Sequence, residues 1–145
     1  MQNIKKITAR ETFSVRNPVL RAGKPIESCL FLDDDLKTTS HFGFFIDEKT
    51  VGVSSLFEKK NKLFDLEKQF QIRGMAVLEN FQKKGFGNNL VKHIENHLET
   101  ETLIWFNARI IAVDFYKKLG YQIIGNSFEI DEIGKHFVMY KILKK

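Results

Sequence analysis

The chain has 145 residues, 43% of them apolar, which suffices for one compact domain with a buried core. Lys and Arg outnumber Asp and Glu by 23 to 18, but acidic residues are interspersed among the basic ones, which disfavours a dedicated nucleic-acid-binding protein. The sequence has one cysteine, Cys29, no apolar signal segment, and no apolar run of the roughly 18 residues that cross a bilayer. We therefore expect a cytoplasmic protein, a single domain over residues 1–145, without disulfides, bound metal or membrane contact.

The pattern of apolar residues in the first half of the chain predicts mostly strands. A short strand is expected near residues 3 to 8 and a helix around 10 to 21, before an acidic turn. Two apolar runs flank the polar segment "DEKT" within residues 41 to 59, which predicts a β-hairpin. The alternation in "QFQIRGMAVL", residues 69 to 78, predicts a further strand with one apolar face, formed by Phe70, Ile72, Gly74 and Ala76.

The second half alternates helices and strands. Apolar residues recur at helical spacing at Phe86, Leu90, Val91, Ile94 and Leu98. A strand is expected at residues 103 to 108, and a second helix is expected after it. The apolar face of this helix comprises Ala112, Phe115, Tyr116 and Leu119, and Gly120 can end it. Two strands, near residues 121 to 129 and 136 to 143, close the chain. This order predicts a mixed α/β domain.

The segment "QKKGFGNNL", residues 82 to 90, lies where a strand gives way to a helix, and its glycines suit several ligands at first sight. A dinucleotide fingerprint requires a third glycine where Leu90 stands. An aromatic RNA-binding motif matches residues 84 to 87, but that motif continues as a strand, whereas this segment continues at helical spacing. Both interpretations are therefore disfavoured.

A phosphate group is the ligand that this segment fits best. The first turn of a helix has backbone N–H groups without intrahelical partners and carries about half a positive charge. Gly85 and Gly87 permit a close approach of the backbone, and Lys83 and Lys84 add positive charge. The alternative is a tight strand-to-helix turn that binds nothing, and the segment alone does not decide between the two.

Two segments together resemble the GNAT superfamily of acyl-CoA-dependent N-acyltransferases. The superfamily's loop pattern, Gln/Arg-x-x-Gly-x-Gly/Ala, is met by Gln82, Gly85 and Gly87. Its second hallmark is an Asn at a strand end, followed by a helix with Phe-Tyr and a closing Leu-Gly-Tyr/Phe; it is met by Asn107, Ala112, Phe115, Tyr116, Leu119, Gly120 and Tyr121. The resemblance implies a central mixed, mostly antiparallel sheet of about six to seven strands with a splayed strand pair, flanked by about four helices.

The resemblance also implies an enzyme that transfers an acetyl group from acetyl-CoA to a primary amine. The cosubstrate is expected in the gap between the strand that ends near Val77 and the strand that ends near Asn107. Main-chain groups of Met75, Ala76 and Val77 would then bind the pantetheine arm. The loop would bind the pyrophosphate, and the further residues expected at the cosubstrate are Gln82, Lys83, Lys84, Gly85, Phe86, Gly87, Asn88, Asn107 and Tyr116.

Acetyl transfer to an amine requires a base, an oxyanion donor and an acid. A lysine-like amine has a pKa of about 10.4 and is mostly protonated at neutral pH. Glu79 is the candidate base, directly or through water, and the backbone N–H near Val77 is the candidate oxyanion donor. Tyr116 is the candidate acid for the departing thiolate, because a phenol with a pKa near 10 can donate a proton to sulfur. Alternatively, Tyr116 is a core residue on the apolar face of its helix.

The acceptor, expected to be a small-molecule or peptide amine, is less well defined. Arg16, Arg21 and Arg73 are candidates for binding a carboxylate, and an acidic set is the candidate for binding a second amine: Asp33, Asp34 and Asp35. Solvated surface is the alternative for both sets. His136 is a candidate proton relay or a core histidine. A homodimer is compatible with exposed edge strands, and two other functions stay open: an acyl-CoA sensor without turnover and, less favoured, an RNA-binding module.

Overall fold

The computed structural model describes residues 1–144 of the chain. Within these residues it contains seven β-strands, three α-helices and four short 3-10 segments. The strands are β1 Gln2–Ile7, β2 Ser40–Ile46, β3 Lys49–Glu58, β4 Gln69–Val77, β5 Leu103–Arg109, β6 Gln122–Ile130 and β7 Gly134–Ile142. The helices are α1 Phe13–Leu20, α2 Phe86–Asn96 and α3 Val113–Lys118, and the 3-10 segments are Arg10–Thr12, Ile26–Cys29, Glu79–Phe81 and Ile110–Ala112. The predicted mixed α/β class is confirmed.

The strands are arranged in the order β1-β2-β3-β4-β5-β7-β6. Strands β4 and β5 pair in parallel, from the Gln69–Leu103 pair to the Gln71–Trp105 pair. The β1–β2, β2–β3, β5–β7 and β6–β7 pairs are antiparallel. The predicted hairpin is β2–β3, and its turn residues Asp47 and Glu48 both have positive φ, 47° and 74°. The mostly antiparallel sheet that the resemblance implies is confirmed.

The described chain divides into two compact units. The first unit comprises Met1–Glu58 and Ile72–Leu98, and the second comprises Lys59–Gln71 and the chain from Glu99 onward. Strand β4 contributes its first three residues to the second unit and the rest to the first. The single domain over residues 1–145 stays a prediction. No helix within residues 1–144 combines the length and apolar character needed to cross a bilayer.

The core of the first unit lies between the sheet and helices α1 and α2. A buried cluster of Val15, Val53 and Ala76 joins α1 to β3 and β4. Helix α2 buries four of the five residues whose spacing predicts it, Phe86, Leu90, Val91 and Ile94, whereas Leu98 lies beyond the end of the helix at Asn96 and is half-buried. The Phe86 ring stacks on Phe44, with ring centroids 4.3 Å apart and an interplanar angle of 23°. Burial of such a side chain contributes about 1.5–3 kcal/mol, so this stack anchors the first turn of α2 against β2.

The second unit has its own core between β5, β7 and the segment before β4. Trp105 is 6% exposed and packs in a cluster with Leu103 and Val138. Its indole Nε1–H donates to the Lys59 carbonyl oxygen at 2.9 Å. This bond satisfies the polar edge of the ring, so that a large aromatic side chain can be buried without an unpaired donor.

Two predictions about buried faces are corrected by the structure. Strand β4 was expected to bury one face, yet the polar Gln69 on the opposite face is also buried. The reason is that the 61–66 segment binds its side-chain amide. Nε2 donates to the carbonyls of residues 64 and 66, and Oε1 accepts from the N–H of residue 61. In α3, Phe115 is 40% exposed and Val113, at 7%, packs inward beside Tyr116 instead. Gly120 follows α3 with φ of 95°, as predicted for its end.

Candidate functional site

The glycine loop of the first unit has an open backbone and free donors. Gly85 has φ of 86° and ψ of 6° and is the N-cap of α2, with Lys83 also left-handed at φ of 64°. A Cβ placed on Gly85 would have no described heavy atom within 4 Å, so the space beside it is open to a ligand. The Asn89 N–H bonds to the Gly85 carbonyl at 3.0 Å. The N–H groups of the three residues between them therefore precede the helical hydrogen-bond pattern, and such groups are suited to phosphate oxygens.

The side chains of the loop divide between ligand-facing and structural roles. Lys83 and Lys84 are exposed beside the positive end of α2, which suits them to an anion. Gln82 instead donates from Nε2 to the Val77 carbonyl oxygen at 2.8 Å and ties the loop to the end of β4. Phe86 is the buried anchor, and Gly87 lies in the first turn of α2. The loop is therefore fixed on both sides while its backbone stays accessible.

Asn88 in the first turn of α2 has an unusual acceptor. Its Oδ1 atom is enclosed, yet no residue among 1–144 donates a hydrogen bond to it. An enclosed acceptor without a donor costs about 1–3 kcal/mol. A ligand group or a water molecule that donates a hydrogen bond there removes this cost. With the open space at Gly85, this atom is the observation that best fits a ligand bound to the loop.

The end of β4 presents main-chain groups next to the loop. Ala76 is buried at 4% exposure, while Met75 and Val77 are half-buried. The Leu78 N–H donates to the Val51 carbonyl at 2.8 Å, on the β3 side. Because successive N–H groups of a strand point to opposite sides, the Val77 N–H points away from β3. Glu79 begins the following 3-10 segment and is exposed.

In the second unit, Asn107 interrupts a buried run of β5. The four residues before it are buried, whereas Asn107 is exposed and lies opposite Val138 of β7. No residue in the described part of the chain hydrogen-bonds to its side-chain amide. The amide is therefore available to a ligand.

Tyr116 is a buried phenol in the same unit. It is 9% exposed, and its ring lies 4.3 Å from Phe106 and 5.0 Å from Phe115 between centroids. Burial raises the pKa of Tyr116 to about 12. No residue within 1–144 hydrogen-bonds to the phenolic oxygen. The phenol is therefore protonated at neutral pH and has its proton available for donation.

The raised pKa of Tyr116 predicts how the free energy of unfolding depends on pH. Between pH 10 and 12 Tyr116 ionises in the unfolded chain but not in the folded one, so the stability it contributes is present below pH 10 and is lost as the pH rises through about 12. In urea unfolding, the stability of the wild type relative to Tyr116→Phe should fall by roughly 1 kcal/mol between about pH 9 and about pH 11. A constant difference across this range would contradict the raised pKa.

A buried charged network, which the sequence did not predict, lies in the first unit. The guanidinium of Arg16 binds the Asp34 carboxylate through two bonds, Nη1 to Oδ2 at 2.6 Å and Nη2 to Oδ1 at 3.2 Å, and both side chains are 0% exposed. Nη1 also donates to the Cys29 carbonyl at 2.8 Å, and Nη2 donates to Ser55 Oγ at 2.9 Å. Arg16 and Asp34 therefore bind each other and are not available to an acceptor, in contrast to the candidate roles above.

His41 completes this network. Its Nε2 lies 2.9 Å from the Asp34 carbonyl oxygen, which only accepts, so Nε2 carries the proton. Its Nδ1 lies 2.6 Å from Ser55 Oγ and, in this tautomer, accepts the hydrogen bond that the hydroxyl donates. The polar residues that interrupt the apolar hairpin, His41 and Ser55, were the signal that could have predicted a buried polar cluster.

The other candidate residues have clear positions. Arg21 and Arg73 lie near the Phe31 ring. Asp33 and Asp35 are exposed, and Cys29 is fully buried with a free thiol. His136 is 4% exposed and bonds from Nδ1 to the Gly134 carbonyl at 2.7 Å, which fits the core alternative. Residues 1–144 contain no group of three or more His, Cys, Asp or Glu that could hold a metal ion.

Comparisons with known proteins show the family to which the chain belongs. The family profile described as "Acetyltransferase (GNAT) domain" matches residues 32–143. The uncharacterized N-acetyltransferase YitI of Bacillus subtilis (strain 168) is 33% identical over 146 residues, covering 99% of this chain and 98% of that protein. The chain belongs to the GNAT family of acetyltransferases.

Solved structures show the same fold at lower identity. The ribosomal-protein-S18-alanine N-acetyltransferase from Escherichia coli superposes with a TM-score of 0.78 at 14% identity, covering 100% of this chain and 96% of that one. An aminoglycoside 6'-N-acetyltransferase complexed with coenzyme A gives a TM-score of 0.75 at 12% identity, with 99% and 98% covered. The predicted superfamily and the prediction of an acetyltransferase are confirmed.

Proposed function

We propose that this acetyltransferase uses acetyl-CoA and transfers the acetyl group to a primary amine of a small molecule or peptide, by direct attack within a ternary complex. The observation that carries the proposal is the loop at residues 82 to 88. Its left-handed Gly85 leaves open space, its backbone N–H groups precede the helical bonds of α2, and Lys83 and Lys84 supply positive charge. These groups fit a pyrophosphate.

The proposal assigns a binding role to each group of the candidate site. The loop binds the pyrophosphate, and the main chain of residues 75 to 77 binds the pantetheine arm. The free amide of Asn107 binds a polar group of the cosubstrate. Phe86, whose ring stacks on Phe44, contributes by holding the loop in place, and Gln82 does the same through the Val77 carbonyl.

The chain's own groups move the protons and stabilise the charge. Acetyl-CoA supplies a thioester: the amine nitrogen forms a bond to its carbonyl carbon while the carbon–sulfur bond breaks. The Val77 N–H, which points away from β3, stabilises negative charge on the carbonyl oxygen, a contribution of about 3 kcal/mol for one preorganised donor. Glu79, which is exposed, accepts the amine proton through water. Tyr116 donates a hydrogen bond to the departing sulfur and transfers its phenolic proton to it, and solvent then returns a proton to Tyr116.

The Gly85→Asp variant tests the loop. It is expected to weaken CoA binding roughly 10- to 100-fold, about 1.4–2.8 kcal/mol, because the added carboxylate occupies the open space and repels phosphate. Isothermal titration with CoA measures the change. Gly23→Asp is the matched control, since Gly23 also has a positive φ, 78°, and also has no described heavy atom within 4 Å of an added Cβ.

Two outcomes would contradict the proposal. Unchanged CoA affinity in Gly85→Asp, with equal folding of both variants, would show that the loop does not bind CoA. If the wild type binds CoA tightly but releases no thiol from acetyl-CoA with a broad panel of amines, the proposed transfer reaction is refuted.

A further inference from the structure

Three arginines surround one aromatic ring in the first unit. The guanidinium carbons of Arg16, Arg21 and Arg73 lie 3.8, 5.1 and 5.2 Å from the centroid of Phe31. Phe31 belongs to the segment between α1 and β2, and Arg73 belongs to β4. The ring also touches the strand itself, because a Cβ on Gly74 would come within 3.0 Å of Phe31 Cε2. We refer to these three arginines and Phe31 as the arginine cluster.

The charges of the arginine cluster are only partly compensated. Asp34 is engaged by Arg16 through both of its carboxylate oxygens. Arg21 donates from Nη1 to the neutral Leu20 carbonyl at 3.1 Å. Arg73 has no hydrogen-bond or ion-pair partner for its guanidinium in the described part of the chain. Two of the three guanidinium groups therefore contact no carboxylate.

Arg73 is held in a site that suits an anion. Its guanidinium carbon lies 5.2 Å from the Phe57 centroid as well as 5.2 Å from that of Phe31, and the residue is half-buried. Burial lowers the pKa of Arg73, which shows that water compensates its charge less well than at the surface. Its planar group has five N–H donors that match a carboxylate in two parallel bonds. An anion placed there restores the missing hydrogen bonds.

The position of Arg73 along β4 relates it to the reaction. Arg73 precedes Met75 by two residues, which corresponds to about 7 Å along a strand. The proposed pyrophosphate loop follows the other end of β4, so a pantetheine arm bound along residues 75 to 77 extends from the loop toward Arg73. The thioester, whose carbonyl oxygen is proposed to lie at the Val77 N–H, is then separated from Arg73 by about 13 Å along the strand, and the acceptor has to span this distance.

We propose that the acceptor is an amine that also carries a carboxylate, and that Arg73, supported by Arg21, binds this carboxylate while the amine meets the thioester. The inference rests on the proposed function. A diamine acceptor is disfavoured, because the one buried carboxylate of this region among residues 1–144, Asp34, is engaged by Arg16, and the neighbouring carboxylates of Asp33 and Asp35 are exposed to solvent. Free amino acids and acidic peptides present the same carboxylate, and the experiment treats them separately.

The test compares each acceptor with its neutral counterpart. Thiol release from acetyl-CoA is measured with a series of amino acids of increasing amine-to-carboxylate separation, with the matching carboxamides, and with short peptides bearing a free or an amidated carboxylate. At least one carboxylate acceptor is expected to exceed its carboxamide in kcat/KM by roughly 10- to 100-fold, the worth of a charge-assisted pair. A preference among the amino acids would identify a free amino acid as the source of the carboxylate, and a preference among the peptides would identify a peptide.

Variants assign the preference to Arg73. Arg73→Gln is expected to abolish the difference between carboxylate and carboxamide while the KM for acetyl-CoA stays within about twofold, and Arg73→Lys to retain part of it because the charge remains. Arg10→Gln removes an exposed arginine of the same unit and should retain the full preference. Thermal unfolding of each variant establishes that it is folded.

The outcomes separate this inference from the proposed function. Acetylation of amines without a carboxylate preference, or a preference that survives in folded Arg73→Gln, overturns the inference alone. Absence of thiol release with every amine, despite CoA binding, overturns the proposed function and the inference together.

Discussion

Replacing Arg16 with Leu is expected to lower the free energy of unfolding by about 3–5 kcal/mol, the usual cost of removing one partner of a buried ion pair. The Asp34 carboxylate, at 0% side-chain exposure, would lose both guanidinium bonds and would retain, among residues 1–144, the hydrogen bond from the Phe31 N–H at 2.8 Å. The Cys29 carbonyl and the Ser55 hydroxyl oxygen would lose their donor as well. Urea unfolding followed by circular dichroism measures the change.

A second substitution separates the charge from the packing. In the Arg16→Leu background, Asp34→Asn removes the buried charge but keeps an acceptor for Phe31, and should restore at least about 1 kcal/mol. Arg10→Leu is the matched control: it replaces an exposed arginine, and we expect a change within about 0.5 kcal/mol. A loss below about 1 kcal/mol in Arg16→Leu, or no recovery in the double variant, would mean that the ion pair is not what holds this region.

Replacing Tyr116 with Phe is expected to lower kcat roughly 100-fold, at the low end of general acid catalysis, with little change in CoA affinity. The ring contacts with Phe106 and Phe115 are kept by Phe, so the variant removes the hydroxyl and little else. The low end is expected because a phenol with a pKa of about 12 is a weak proton donor to a thiolate, whose thiol has a pKa of about 8.5 in water. The hydrogen bond to sulfur is then the main contribution.

The pH dependence of turnover distinguishes this role from a packing role. Because the phenol is protonated throughout the neutral range, the wild type should show no alkaline loss of kcat from Tyr116 below about pH 10. Steady-state kinetics of both proteins, from acidic to alkaline pH, measure the ratio of their kcat values, and Phe106→Leu serves as a packing control. Retained turnover in Tyr116→Phe at every pH would remove the donor role.

The parts of the protein that depend on local sequence were predictable. The start of α2 requires a residue that accepts a left-handed backbone, and Gly85 supplies it where the hydrophobic period changes at Phe86. The hairpin and the closing strands follow from alternation, and the end of α3 follows from Gly120. The resemblance itself rested on these local patterns, which explains why it extended to the correct fold.

The parts that depend on distant contacts were not predictable in the same way. The buried network joins Arg16, Asp34, His41 and Ser55, which are separated by up to 39 positions in the chain. Charge alone predicts solvent exposure for Arg16 and Asp34, and only their mutual contact makes burial tolerable. Gln69 is similar, because its burial depends on a segment whose path the period of β4 does not specify.

The network around Arg16 has a thermodynamic consequence for recognition. It fixes the segment from Cys29 to Asp34 at both ends, through a carbonyl and a carboxylate, and Phe31 lies between them. Ordering one residue of a loop costs about 1–2 kcal/mol in conformational entropy. This cost is incurred when the chain folds, so a molecule that arrives at Phe31 meets a surface already in place and loses little affinity to loop ordering. For acceptors that bind at the arginine cluster as proposed, differences in affinity would then reflect their contacts with that surface rather than a rearrangement of the protein.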